Sequence, residues 1–158
     1  MTPNAELRAL FKSMRRIARA IEIHSRRLDR ELELTLPQHV VLVCVRDLGE
    51  VTGRAISHEA DVSPATVVGI LDKLEGKGLI ERYRSTRDRR IVHTRITRKG
   101  EEVLARAPAP LGARFEREFL GLDPETRRHV LAAFERVADM AEPHALVEIG
   151  DLPEGERL

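Results

Sequence analysis

Residues 63–99 read SPATVVGILDKLEGKGLIERYRSTRDRRIVHTRITRK. Ser63 and Pro64 open a helix as N-cap and first helical residue, because a serine hydroxyl can accept an orphan amide and proline lacks one. Val67, Ile70, Leu71 and Leu74 recur at helical spacing and form its core face. Gly78 stops the helix, being free to take the left-handed conformation that follows a helix end. The spacing then predicts two short strands, Leu79–Ser85 and Ile91–Ile96, joined by a basic turn from Thr86 to Arg90. The residues left outward on the helix are Ala65, Thr66, Val68, Gly69 and Lys73. A merely solvated face would carry Glu, Lys or Gln, whereas small side chains permit close approach to a groove, with methyl groups able to meet thymine methyls.

Charge supports the same reading. Residues 82–99 carry eight basic side chains against the single acid Asp88, in a chain of net charge +1. Positive charge this local is a footprint for phosphate. By region, residues 1–51 hold 9 basic and 7 acidic groups, 52–100 hold 11 and 6, and 101–158 hold 7 and 13. The last third would be repelled by a polyanion, which suits it to protein contacts. Aromatic residues, at 3%, are too sparse for single-strand stacking platforms, so duplex DNA fits better.

Upstream of this stretch, an amphipathic helix is expected over Leu7–Leu32, with arginines opposite its apolar stripe. Thr35 with Gln38 three residues on forms a capping box for a buried helix over Pro37–Asp47. Thr52 caps a short helix to about Ala60, and Asp61-Val62 turns the chain into Ser63, giving helix, turn, helix. Thr97 starts another helix, which Pro108 and Pro110 interrupt before a segment through Phe115 and Phe119. Asp123-Pro124 begins the last one, with Val130, Leu131, Phe134 and Val137 on its apolar side, and a weakly patterned tail follows Pro143. The fold class is mainly α with a small β-hairpin wing: an N-terminal dimerisation helix over 1–34, a winged helix-turn-helix lobe over 35–100, and C-terminal dimerisation helices and tail over 101–158.

Ser63-x-x-Thr66-Val67, Leu71-Asp72-x-Leu74-Glu75-x-x-Gly78-Leu79-Ile80-x-Arg82, Asp88-Arg89-Arg90 and Ile96-Thr97-x-x-Gly100 together resemble the MarR family of transcriptional regulators. The resemblance covers residues 35–104, with Ile96 where the family usually has Leu and Val68 where Thr is common. It implies that Arg90 enters a minor groove with its guanidinium fixed by Asp88, a placement favoured by the negative potential of a narrow groove. A solvated turn with an incidental ion pair is the plain alternative. Ser63, Pro64, Ala65, Thr66, Val68, Gly69 and Lys73 are the expected major-groove set, and Arg82, Arg84, Arg87 and Arg89 the expected phosphate contacts. The resemblance further implies a homodimer, a repressor's action and a small effector bound between dimerisation helices and lobe. Ile70–Arg90, the Ala107–Pro110 stretch and Arg114-Phe115 are similar to the branch associated with ectoine and other compatible solutes.

Other residues weigh less. His24 interrupts the apolar face of the first helix and His39 opens the second, so both are candidate effector contacts, with a hydrogen-bonded histidine at a dimer seam as the alternative for His24. Cys44, flanked by Val43 and Val45, reads as core rather than as an oxidant sensor. As the only cysteine it cannot form an internal disulfide, and a cytoplasmic setting is expected. The histidines show no metal-ligand spacing, and no phosphate loop, nucleophile elbow or other catalytic constellation is present, so neither cofactor nor enzyme activity is expected. No apolar run is long enough to suggest a membrane span. The expected function is a duplex-specific regulator; the rivals are a winged module binding protein or ligand, or acting architecturally, and a thiol switch through Cys44.

Overall fold

The computed structural model describes residues 2–108 and 111–141. Its elements are α1 (Pro3–Leu32), α2 (Leu36–Leu48), β1 (Val51–Thr52), α3 (Gly53–Glu59), α4 (Pro64–Gly76), β2 (Ile80–Arg84), β3 (Val92–Ile96), α5 (Arg98–Arg106), α6 (Ala113–Leu120) and α7 (Pro124–Ala141). Pro110 and the tail after Pro143 lie outside the described residues. The chain divides into two compact units, residues 1–114 and 115–158.

Local chemistry sets most helix starts. The Thr35 hydroxyl accepts from the Gln38 amide while Gln38 Oε1 accepts from the Thr35 amide, a complete capping box. Ser63 Oγ accepts from the Thr66 amide at 3.2 Å, and Asp123 Oδ1 accepts from the Glu125 and Thr126 amides at 3.0 Å. At the end of α4, Gly78 has φ +70°; its amide donates to the Glu75 carbonyl and the Leu79 amide to the Leu74 carbonyl. That Schellman pairing satisfies two orphan carbonyls and turns the chain into β2.

The sheet runs in the order β1-β3-β2, antiparallel throughout, with Ile80 opposite Ile96 and Arg84 opposite Val92. Its third strand was not expected: Val51 and Thr52 pair with Thr94 and His93. Behind the sheet, Leu28 of α1, Leu34, Val41, Leu42 and Val45 around α2, Ile56 of α3, the four α4 residues and Val103 and Leu104 of α5 form one core. Gly100 is demanded by this packing, since a Cβ there would lie 2.2 Å from the Leu79 carbonyl oxygen and 2.6 Å from Ile96 Cγ1.

Beyond that core the helices are unevenly satisfied. Leu28 is the only buried residue of α1, and Leu7, Leu10, Phe11 and Ile23 stay exposed. In the second unit, Phe115 and Phe119 stack with ring centroids 6.1 Å apart. No described side chain of α6 or α7 is buried, and Leu131, Phe134 and Met140 are open. No described helix is long and apolar enough to cross a membrane.

Candidate nucleic-acid interface

Helix α4 divides as its sequence predicts. Val67, Ile70, Leu71 and Leu74 are buried, while Ser63, Pro64, Ala65, Thr66, Val68, Gly69 and Lys73 are exposed. Val68 is the notable member: a β-branched aliphatic side chain left 54% exposed beside Thr66 and Gly69. The face it belongs to is small, mildly apolar and edged by one cation, a surface that can approach base edges closely.

The wing turn is built by its own side chains. Ser85 Oγ accepts from the amides of Arg87 and Asp88, the Ser85 amide donates to the Ile91 carbonyl, and Arg84 Nη1 donates to the Arg89 carbonyl at 2.9 Å. Asp88 Oδ1 accepts from the Arg90 amide at 3.0 Å and from Arg90 Nε at 3.2 Å, and Oδ2 from Nη2 at 3.4 Å. These bonds, the backbone one foremost, hold the Asp88 carboxyl below the usual aspartate range. Arg90 nevertheless has 92% of its side chain in solvent. The result is an oriented guanidinium presented outward at the tip of a ribbon, with the exposed Arg87 and Arg89 beside it.

Arg82, one of the expected phosphate contacts, is engaged within the lobe. Its Nε donates to Glu75 Oε2 at 3.0 Å, its Nη2 reaches Asp72 Oδ1 at 2.7 Å, and its backbone amide donates to Glu75 Oε1 at 3.2 Å. Hydrogen bonding to Glu75 and then to Asp72 raises the guanidinium pKa further, and the same bond to Arg82 lowers that of Glu75. Arg82 therefore ties the first wing strand to the back of α4. Arg95 is also engaged: it pairs with Glu81 and lies 5.2 Å from the Tyr83 ring centroid. Neither engagement was evident from charge counting.

The two histidines occupy different settings. His39 is 6% exposed, and its Nδ1 has no hydrogen-bond partner among the described residues; burial, then the charge of Arg46, lowers its pKa. His24 is half-buried, and its Nδ1 is likewise enclosed and unpartnered among them. A Cβ on Gly112, whose φ is +87°, would come within 2.8 Å of the His24 ring. Cys44 is 8% exposed, and burial, with Glu59 and Asp47 nearby, pushes its thiol pKa up, the reverse of what a reactive thiolate needs.

Comparison with known proteins agrees with this geometry. A model described as "MarR family" matches residues 34–92. The transcriptional regulator HosA of Escherichia coli is 32% identical over 111 residues, spanning 70% of this chain and 82% of that protein. Among solved structures, Sco3205, a MarR family transcriptional regulator from Streptomyces coelicolor in complex with DNA, superposes with a TM-score of 0.69 at 23% identity, covering 91% of each chain. The regulator BldR from Sulfolobus solfataricus has a TM-score of 0.64 at 24% identity, covering 89% of this chain and 99% of that one. At these identities the two structures establish likeness of fold.

Proposed function

The chain belongs to the MarR family, and on that premise we propose that it is a homodimeric repressor that reads a pseudo-palindromic duplex operator. The observation that carries this reading is the pairing, on one lobe, of a small-residue α4 face with an exposed Arg90 oriented by Asp88. The first suits base edges of a major groove and the second the negative potential of a narrow minor groove. Arg84, Arg87 and Arg89 set register on the phosphates, and Arg82 positions the wing. The exposed apolar residues of α1 and α7 call for a second copy, and two-fold symmetry then places half-sites about 10 base pairs apart.

Release by a small effector fits the Nδ1 atoms of His24 and His39, each enclosed and without a hydrogen-bond partner among the described residues. An effector acts only if it binds two lobe arrangements with different affinity. Resemblance to the ectoine-linked branch directs the first footprinting to compatible-solute genes. The buried, proton-retaining Cys44 favours this reading over a thiol switch.

Arg90→Ala tests the wing. The variant should bind a selected operator at least about tenfold more weakly at fixed salt, with the dimer intact. An unchanged dissociation constant would remove the wing from the mechanism.

A further inference from the structure

Helix α1 carries a feature that operator recognition does not use. Between positions 8 and 19 it holds five cations, Arg8, Lys12, Arg15, Arg16 and Arg19, and no acid. At about 100° per residue these fall within an arc of roughly 100°, forming a ridge about 16 Å long. All five are exposed, and among the described residues none has a carboxylate within 4.0 Å. Lys12, Arg15, Arg16 and Arg19 flank a shallow surface depression that ends at Glu22, whose carboxylate is already paired with Arg26. The ridge lies opposite the stripe of Leu10, Met14, Ile17 and Ile21, so a dimer seam made with that stripe leaves the cations in solvent.

We propose that this ridge is a second, sequence-independent surface for duplex DNA, which lets a protein seated on its operator also hold flanking or remote duplex. Five like charges side by side repel one another; a polyanion relieves that repulsion, and its own condensed counterions are released as it binds. Four of the five are arginines, whose planar forks match phosphate oxygens bidentately. Laid along a duplex axis, the ridge spans about five phosphates of each strand. Leu28 enters the lobe's core about 13 Å further along the helix axis than Arg19, so the ridge stands clear of that core. An anionic bilayer is the poorer match, because a helix lying on lipid buries its apolar face, the face a dimer seam would occupy.

The test uses the full chain in two backgrounds. In the first, Arg84, Arg87, Arg89 and Arg90 are replaced by alanine to silence the lobe; in the second, Arg15→Glu and Arg19→Glu are added. Anisotropy with a random-sequence 40-base-pair duplex at 50 and 200 mM salt reads binding, and sedimentation reads the dimer. The lobe-silenced protein should retain binding that falls roughly 40- to 500-fold over that salt range, the response of three to five neutralised phosphates. Ridge reversal should then reduce binding at 50 mM by at least about tenfold, the dimer remaining intact. Residual binding that is absent, or indifferent to the reversal, would overturn the proposal. So would dissociation of the dimer on reversal, which makes the ridge a seam contact, or uptake by phosphatidylserine vesicles with no duplex bound. A wild-type chain with ridge-dependent duplex binding but no operator preference would overturn the repressor reading and leave this one standing.

Discussion

Replacing Arg82 by alanine should weaken operator binding without changing its dependence on salt. The guanidinium is spent on Asp72 and Glu75, with side-chain exposures of 26% for the arginine and 57% and 39% for its partners. Solvent-accessible pairs of this kind are each worth about 0.2–1 kcal/mol, so losing both costs roughly 0.4–2 kcal/mol of stability and frees the wing from α4. A true phosphate contact behaves differently: its loss lowers the slope of log affinity against log salt by about 0.9. Titration of an operator duplex between 50 and 300 mM salt should therefore give wild-type slope for Arg82→Ala and a reduced slope for Arg87→Ala. Combining Asp72→Asn with Glu75→Gln sharpens the contrast. It makes the lobe more positive, so electrostatics alone would tighten binding, whereas an unanchored wing weakens it. A slope for Arg82→Ala reduced as in Arg87→Ala, or tighter binding by the double variant, would refute the positioning role.

Gly100→Ala places a methyl 2.2 Å from a backbone oxygen; overpacking of about 1–3 kcal/mol should exceed the 0.5–1 kcal/mol or so that alanine gains in a helix, and an undiminished melting temperature would contradict the packing. His39 is held neutral in the fold by burial and by Arg46, so its stabilising effect is complete above the ordinary histidine value of about 6.5 and is lost as pH falls toward the depressed folded value. The melting temperature should thus drop between pH 7.5 and 5.5, less steeply for His39→Gln, and equal slopes would remove His39 from that response. Cys44→Ser should leave operator release under peroxide unchanged; release seen only with the cysteine would restore the thiol switch.

Elements whose determinants are local were legible in the sequence. Thr35 caps its helix with Gln38 as expected, Thr52, Ser63 and Asp123 cap theirs, Thr97 starts α5, and Gly78 stops α4. Strand β1 escaped because Val51 and Thr52 become a strand only through pairing with residues some forty positions later. The engagement of Arg82 escaped for a related reason: a cation in a basic run looks free until the fold brings Asp72 and Glu75 to it. The last helices showed apolar periodicity, but periodicity does not say against what a face packs, and no described side chain of α6 or α7 is buried. Of the site, the outward set on α4 and the Asp88–Arg90 pair were readable because helical phase and a two-residue spacing suffice to place them.

Operator recognition by the purified chain is read out by selecting bound fragments from a random pool of duplexes. Enrichment of one pseudo-palindrome, its half-sites about 10 base pairs apart, is the predicted result. Recovery of fragments without a shared sequence would contradict it.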